Sequence, residues 1–240
     1  MINLMLGDCL ERMKEIESGS VDMILTDPPY GTTACKWDSI IPLGPMWEQL
    51  KRIIKPNGAI VMTASQPFTS VLVTSNLKMF KYEWIWEKDG GSNFATVKYQ
   101  PMKEHESVLV FGKGKTVYNQ IKQERIGSRK GKETTTKNNG NKNGVYGDFN
   151  KSQEYKVDEL RCPRSIQRFN RERGLHPTQK PVALMEYLIK TYTNENETVL
   201  DFTMGSGSTG VAAKNLNRDF IGIEMDEGYF KIAQDRINNA

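Results

Sequence analysis

The stretch Val21-Asp-Met-Ile-Leu-Thr-Asp-Pro-Pro-Tyr30 decides the fold class of this chain. Its apolar run, residues 21–25, is typical of a buried parallel strand, and the two prolines end that strand because they cannot donate to a ladder. A carboxylate, two prolines and an aromatic ring thus follow the carboxyl end of a strand, where open α/β sheets bind ligands. The stretch predicts an α/β fold with a binding site at residues 27–30.

The residue types at 27–30 suit an exocyclic amine. Asp27 and the Pro28 carbonyl can each accept one N–H, Pro29 adds no competing donor, and Tyr30 offers a ring face. A proline-rich turn that only ends the strand, with Asp27 as a turn residue and Tyr30 as packing, is the alternative that this short motif leaves open.

A second signature lies at Thr198-Val-Leu-Asp-Phe-Thr-Met-Gly-Ser-Gly-Ser-Thr-Gly210. It predicts a strand, a tight glycine turn and a helix start, an arrangement that lets a ligand approach the backbone closely. A further strand ends at Glu224, 17 residues after Gly207, where an acid can accept hydrogen bonds from both ribose hydroxyls of a nucleoside cofactor.

Other phosphate- and nucleotide-binding motifs share features with this glycine turn. Its three glycines, Gly205, Gly207 and Gly210, also fit G-x-G-x-x-G, so spacing alone leaves a nicotinamide cofactor open. The turn lies near the carboxyl end, with too little chain after it for a full dinucleotide-binding fold. No Gly-Lys-Ser/Thr follows, which excludes a Walker-type phosphate loop.

The order of these features resembles the permuted β-group of DNA amino-methyltransferases, which methylate adenine N6 or, usually with Ser in the first motif position, cytosine N4. Two further stretches agree, Gly7-Asp-Cys-Leu10 and His176-Pro-Thr-Gln-Lys-Pro181. The resemblance implies Asp27, Pro28, Pro29 and Tyr30 as catalytic residues and S-adenosylmethionine as cofactor. The cofactor-binding residues that it implies are Asp8 at the adenine end, Lys180 at the methionine end, and Asp201, Phe202, Gly205, Ser206, Gly207 and Glu224.

The glycine stretch departs from the family pattern at one position. The family usually shows Asp-Pro-Phe-x-Gly-x-Gly, whereas this chain has Thr203 where Phe is common, and its aromatic, Phe202, stands one position earlier. The sequence therefore does not decide whether Phe202 packs on the cofactor.

Several of these residues also have purely structural interpretations. Asp8 follows an apolar strand and fits a helix N-cap equally well. Lys180 could be a solvated lysine at a helix start, although a cation beside a positive helix end hints at an anionic partner such as a carboxylate. His176 is more typical of a turn than of catalysis, and no metal site is predicted because no ligand cluster surrounds it.

Charge is distributed unevenly along the 240 residues. Residues 112–174 contain 16 Lys and Arg against 7 Asp and Glu, whereas the whole chain has a net charge of +4. This basic segment is rich in Gly, Asn, Ser and Thr, so it predicts an irregular insert that neutralises phosphates of nucleic acid. A solvated loop is the alternative. The phosphate-binding candidates are Arg125, Arg129, Lys130 and Lys132.

Alternating patterns predict a doubly wound, mostly parallel sheet with helices on both faces. Strands are expected near 2–6, 21–26, 58–63, 81–87, 107–111, 197–201 and 219–224. Helices are expected near 8–16, 43–54, 67–77, 181–193, 208–216 and 226–238, with a turn at 55–58. The resemblance implies a Rossmann-like class I methyltransferase sheet of seven strands with one antiparallel edge strand.

The chain is predicted to have a catalytic half at 1–112, a basic target-recognition insert at 113–175 and a cofactor half at 176–240. The expected function is methylation of adenine N6 in double-stranded DNA after the base leaves the helix. Cytosine-N4 methylation and an inactive nucleic-acid-binding protein are the alternatives.

Three cysteines without Cys-x-x-Cys spacing predict free thiols in a reducing cytoplasm, and no apolar run is long enough for a membrane. Related enzymes often pair, so the resemblance allows a homodimer. The sequence leaves open whether a cognate restriction enzyme is a partner.

Overall fold

A computed structural model describes residues 1–33, 35, 38–124, 160–172, 174 and 178–240, and the backbone of 134–137 and 154–157. The strands are β1 Ile2–Leu6, β2 Val21–Thr26, β3 Ile54–Ala64, β4 Phe80–Glu87, β5 His105–Phe111, β6 Gln123–Glu124, β7 Thr134–Lys137, β8 Glu154–Val157, β9 Leu160–Arg161, β10 Ile166–Arg168, β11 Thr198–Asp201 and β12 Asp219–Glu224. The α-helices are α1 Cys9–Arg12, α2 Leu43–Ile53, α3 Phe68–Ser75, α4 Val182–Tyr192, α5 Ser208–Asn215 and α6 Glu227–Asn238.

Eight of these strands form one sheet in the order β1-β12-β11-β2-β3-β5-β4-β10. Only the pairings of β5, with β3 and with β4, are antiparallel. Side chains of the fully buried strand β2 alternate between two apolar clusters, Ile24 in one and Met23 and Leu25 in the other. Helices α2 and α3 pack on the first cluster and α4, α5 and α6 on the second. The predicted doubly wound, mostly parallel α/β fold is confirmed.

The register of the parallel strands brings the predicted site residues to one edge of the sheet. Leu6 pairs with Glu224, Asp201 pairs with Gly222, and Leu200 pairs with Ile24. The carboxyl ends of β1, β12, β11 and β2 therefore lie side by side. The loops that follow them begin at Gly7, Met225, Phe202 and Asp27.

Two details of the sheet differ from the expectations. The sequence predicts a turn at residues 55–58, but strand β3 already begins at Ile54, which pairs with Val21. The register between β2 and β3 then shifts, and regular pairing resumes between Met23 and Ala59. The prediction failed because Pro and Gly mark bulges in strands as well as turns. The sheet also contains an eighth strand, β10, and its antiparallel strand β5 lies inside the sheet, between β3 and β4.

The chain divides into two compact units, Met1–Asn119 with Ser165–Ala240, and Gln120–Arg164. The second unit contains the antiparallel pairs β6–β9 and β7–β8, and it falls within the predicted insert 113–175. Arg125, Arg129, Lys130, Lys132 and His176 lie outside the described residues. The predicted three-part division and the DNA-binding role of these cations stay predictions.

None of the helices in the described part of the chain is long and apolar enough to span a membrane. All three cysteines have free thiols.

Candidate active site

The carboxylate of Asp27 is the centre of the site at the end of β2. Its Oδ1 accepts hydrogen bonds from the Tyr30 hydroxyl at 2.7 Å and from the Thr63 hydroxyl. Its Oδ2 accepts one from Nζ of Lys180 at 2.5 Å. A carboxylate offers about four lone-pair positions. Three donors therefore fix the orientation of Asp27 and leave Oδ2 able to accept one more hydrogen bond.

Lys180 is brought to Asp27 by the segment that precedes α4. Its side chain is 7% exposed, and its Nζ also lies 3.4 Å from Oε2 of Glu106 and 5.6 Å from the centre of the Tyr30 ring. Burial alone would lower the pKa of Lys180, but the charges of Asp27 and Glu106 outweigh it and hold the pKa above its ordinary value. The anionic partner at which the sequence hinted is thus Asp27, and cofactor binding by Lys180 stays a prediction.

A second ion pair, between Glu106 and Lys88, lies directly behind the first. Oε1 of Glu106 is 2.5 Å from Nζ of Lys88, and the two side chains are 13% and 7% exposed. Burial alone would raise the pKa of Glu106, but Lys180 and Lys88 hold it below its ordinary value. Sequence reasoning missed this pair and Thr63. Lys88 follows the end of β4 and Glu106 is near the start of β5, so both lie at the same edge of the sheet as Asp27. This becomes visible only once the strand order is known.

Tyr30 contacts both acids and the apolar core. Its ring stacks on Phe68 with the centres 5.5 Å apart, and its hydroxyl lies 3.3 Å from Oε2 of Glu106. Burial and the neighbouring charges of Asp27 and Glu106 raise the pKa of Tyr30 well above its ordinary value. The hydroxyl therefore stays protonated at neutral pH and donates its single proton to Asp27, with Oε2 of Glu106 as the longer, weaker partner.

The loop after Tyr30 is held by Asp38, another residue that sequence reasoning missed. Its carboxylate accepts the backbone N–H groups of Gly31, Thr32 and Thr33 at 2.6–2.8 Å. Burial would raise the pKa of Asp38, but hydrogen bonds to Thr33 and the backbone lower it overall. This carboxylate fixes the backbone that leaves the catalytic motif.

The glycine turn after β11 has the backbone that the sequence predicts. Gly205 and Gly207 have φ values of +51° and +81°, which side chains rarely adopt. A Cβ on Gly207 would lie 3.0 Å from the Cβ of Ala233, whereas one on Gly205 would meet nothing within 4 Å. Gly207 is therefore required for packing against α6, and Gly205 leaves open space in front of the turn.

Asp8 and Glu224 lie next to this turn. The Glu224 carboxylate accepts the N–H of Gly205 at 2.9 Å through Oε2 and the N–H of Asp226 at 2.8 Å through Oε1. Each oxygen can accept one more hydrogen bond, as a ribose diol requires. Asp8 is the N-cap of α1 and accepts the N–H of Leu10 at 2.9 Å. Its capping role is therefore confirmed, and cofactor binding by Asp8 stays a prediction.

The remaining predicted residues are buried beneath the turn. Asp201, Phe202 and Ser206 are 3%, 1% and 4% exposed. Phe202 belongs to the apolar core, and the Ser206 carbonyl accepts a hydrogen bond from Arg236 at 3.2 Å. These side chains support the turn, and their direct contact with a cofactor stays a prediction.

Thr203, at the position where the family commonly has Phe, connects the turn to the catalytic strand. Its hydroxyl donates to the backbone carbonyl of Asp27 at 3.1 Å and lies 2.6 Å from the Thr26 hydroxyl. The Thr26 hydroxyl also donates to Asp201 at 2.8 Å. Burial raises the pKa of Asp201 to about 6. The departure from the family pattern thus replaces a ring by a hydrogen-bonded link between the two predicted halves of the site.

The acceptors of this edge fit a nucleoside cofactor. The Glu224 carboxylate has free acceptor capacity for a ribose, Asp8 lies at the end of the neighbouring strand, and the space before Gly205 is open. No group of three or more His, Cys, Asp or Glu residues that could hold a metal occurs in the part of the chain that the structure describes.

Comparisons with known proteins place this architecture in a family. The profile of the N6/N4 methyltransferase family, described as DNA methylase, matches residues 21–235. The chain is 28% identical to type II methyltransferase M.HpaI of Haemophilus parainfluenzae, over 98% of this chain and 74% of the relative. It is 29% identical to the DNA adenine methyltransferase YhdJ of Escherichia coli K12, over 98% of this chain and 82% of the relative.

Solved structures agree with these sequence matches. The complex of M1.HpyAVI with SAM is 29% identical, with a TM-score of 0.68 over 99% of this chain and 100% of the other. The cytosine-N4-specific PvuII DNA methyltransferase has the same TM-score at 14% identity, over 98% of this chain and 86% of the other, and shows the fold alone. Since the family profile covers most of the chain, this protein belongs to the N6/N4 DNA methylase family.

Proposed function

We propose that this protein transfers a methyl group from S-adenosylmethionine to the N6 amine of adenine in double-stranded DNA. The observation on which the proposal rests is the Asp27 carboxylate, which three donors orient while Oδ2 keeps room for one more hydrogen bond. It stands at the end of β2, between the glycine turn and the Tyr30 ring. A fixed acceptor at this place suits an amine that must be held during transfer.

Two acceptors on this turn would act on the amine. An adenine amine is a poor nucleophile because its lone pair is delocalised into the ring. Asp27 and the Pro28 carbonyl would each accept one amine hydrogen, which favours a pyramidal nitrogen and stabilises the positive charge that develops on it. Pro28 and Pro29 present no N–H that would compete for these acceptors. The Asp27 carboxylate then takes the proton that the methylated amine releases.

S-Adenosylmethionine, when bound, supplies a methyl group on a positively charged sulfur. Glu224 would hold the ribose hydroxyls, Asp8 the adenine end, and Gly205 and Gly207 would allow close approach of the backbone. M1.HpyAVI, a similar protein of known structure, was solved in complex with SAM. In this chain the link through Thr203 would keep the cofactor turn and the Asp27 backbone at a fixed separation.

A duplex substrate requires that the adenine leave the helix, because N6 lies in the base-pairing edge. Tyr30 would stack on the extruded base and recover about 1–3 kcal/mol. Double-stranded DNA as the substrate agrees with the family, DNA methylase, and with the DNA adenine methyltransferase YhdJ as a relative.

The loop between β4 and β5 supports contact with DNA next to this site. Residues 90–103 contain no carboxylate side chain, and their only charged side chains are two lysines. Phe94 and Tyr99 are 79% and 87% exposed, although Asn93 fixes the loop by accepting the N–H of Lys103 at 2.6 Å. Large exposed rings beside cations can stack on bases while the cations neutralise phosphates.

Cytosine-N4 methylation is the second candidate, because a cytosine-N4 enzyme has the same fold. Asp rather than Ser at position 27, and the adenine methyltransferase among the relatives, favour adenine. On the resemblance alone, the proposal extends to a homodimer, a cognate restriction enzyme and a cytoplasmic location.

Nucleoside mass spectrometry tests the assignment. Purified protein is incubated with S-adenosylmethionine and duplex DNA from a host without methylation, and the digested nucleosides are analysed. We expect N6-methyladenine. N4-Methylcytosine would overturn the base assignment but keep the reaction. Neither product, from folded protein that binds the cofactor, would contradict the proposed function and favour an inactive DNA-binding protein.

A further inference from the structure

Glu106 is connected to both oxygens of the Asp27 carboxylate. Its Oε2 lies 3.4 Å from Nζ of Lys180, which bonds Oδ2 of Asp27 at 2.5 Å. The same Oε2 lies 3.3 Å from the hydroxyl of Tyr30, which bonds Oδ1 of Asp27 at 2.7 Å. Asp27, Lys180, Glu106 and Tyr30 thus form a closed ring of side chains from different parts of the chain.

The charges in this ring explain why a second carboxylate is present. If a buried lysine had only one acidic partner, its full electrostatic attraction would act on that carboxylate. The carboxylate would then be a weaker hydrogen-bond acceptor for an amine. Glu106 shares Lys180 with Asp27, and Lys88 at 2.5 Å fixes Glu106 from the other side. The two acids and two lysines balance in charge, which the burial of Lys88, Lys180 and most of Glu106 requires.

We infer that Glu106 is a positioning residue for methyl transfer, which orients Asp27 and keeps it able to accept the substrate amine by sharing Lys180 and the Tyr30 hydroxyl with it. Lys88 in turn holds Glu106 in place. This inference rests on the proposed function, since Glu106 acts only through Asp27.

The first test is Glu106→Gln, which keeps the size of the side chain but removes its charge. We expect kcat to fall about 10- to 100-fold, because Asp27 loses part of its fixed orientation, with little change in the KM for DNA or in cofactor affinity. Glu104→Gln, at an exposed acid two positions away, is the matched control and should keep the native kcat.

The second test uses pH, because Lys88 holds the pKa of Glu106 low. Removing that charge by Lys88→Gln makes Glu106 protonate at a higher pH. The acid midpoint of the kcat profile should therefore rise. The other titratable groups facing the pair are Lys180, Tyr30, Lys103 and Asp27, and Lys88→Gln leaves their side chains in place. The effect of the lost charge on them is measured separately, in the Glu106→Gln background.

The double variant Lys88→Gln/Glu106→Gln decides between positioning and mere support of the fold. The rise of the acid midpoint should disappear when Glu106 is already Gln, since no carboxylate remains to titrate there. This variant removes one charge of each sign, so it keeps the charge balance of the site even if Glu106→Gln alone does not fold. Its acid midpoint is then compared with that of Lys88→Gln, and only Lys88→Gln should show the rise.

Native kcat in Glu106→Gln, or an acid midpoint that rises equally in the Glu106→Gln background, would overturn the inference. Both outcomes require an active wild-type protein. An inactive wild type would instead contradict the proposed function, so the two failures are distinguishable.

Discussion

At the scale of single residues, the buried charges of the site differ in whether they have a partner of opposite charge. Lys180, Glu106 and Lys88 all do, and such a partner offsets part of the cost of burying a charge. Asp201 is 3% exposed, and its hydrogen-bonding partners are neutral: Thr26, Thr209 and the backbone of Thr203. Its pKa of about 6, well above the ordinary value of 3.8, is the consequence.

Asp201 predicts a pH dependence of stability. An acid whose pKa is raised in the folded state stabilises the fold at low pH, and that contribution is lost as pH rises through the folded pKa of about 6. Asp201→Asn keeps an acceptor for Thr26 and does not titrate. Relative to wild type, the variant should gain about 1.4 kcal/mol in free energy of unfolding between pH 5 and pH 8.

Urea unfolding at the two pH values measures this gain. Asp235→Asn, at an exposed acid on α6, is the matched control and should show no comparable change with pH. A difference between Asp201→Asn and wild type that is the same at pH 5 and pH 8 would contradict the assignment.

At the scale of elements, local patterns predicted the strands and helices of the sheet well. The run of residues 21–26, the glycine turn and the strand 219–224 each have a local signal, since strand ends, prolines and glycines act within a few residues. The start of β3 was predicted wrongly, at residue 58 instead of Ile54, because a pattern of Pro and Gly cannot distinguish a bulge from a turn.

The site residues that sequence reasoning missed depend on strand pairing. Glu106 and Lys88 meet because β4 and β5 pair antiparallel, and Thr63 reaches Asp27 because β3 lies beside β2. No spacing along the chain encodes these neighbours. Lys180 was predicted as a cofactor residue from the family resemblance, and its pairing with Asp27, 153 residues away, could not be deduced from the pattern.

The glycine turn gives a prediction at this scale, because its two left-handed glycines differ in surroundings. Gly207→Ala adds a methyl group against Ala233 at an unfavourable φ and should cost about 1–3 kcal/mol of stability. Gly205→Ala meets nothing in the protein, so its cost should be about 1 kcal/mol, from φ alone. Its methyl group would instead enter the cofactor space and weaken binding about tenfold or more, equivalent to about 1.4 kcal/mol.

Chemical unfolding and calorimetric titration with S-adenosylmethionine distinguish the two variants. Gly205→Ala with native affinity for the cofactor would show that the turn does not face the ligand.

At the scale of the whole molecule, positive charge is concentrated in the insert. The two most exposed aromatic side chains among the described residues, Phe94 and Tyr99, lie in the loop between β4 and β5. Residues 112–174 have an excess of nine positive charges, although the protein as a whole has only +4. Binding of a polyanion through such a segment releases counterions and is weakened by salt.

Replacing Arg125, Arg129, Lys130 and Lys132 by Ala tests this distribution of charge. We expect weaker DNA binding and a shallower dependence of log K on log salt, by about 0.9 for each phosphate that is no longer neutralised. The matched control replaces four exposed lysines of the first unit: Lys51, Lys78, Lys81 and Lys231. Fluorescence anisotropy over a salt series measures both slopes, and equally weakened binding in the two quadruple variants would contradict a specific role for the insert.

The central claim is that the Asp27 carboxylate accepts the substrate amine during methyl transfer. Asp27→Asn keeps the size of the side chain, and Glu106 remains to pair with Lys180, so the fold should persist. The most direct measurement is the single-turnover rate of methyl transfer to duplex DNA in this variant, with its cofactor affinity measured in parallel. The account predicts a rate lower by about 10³-fold or more with unchanged cofactor affinity, whereas near-native transfer would contradict it.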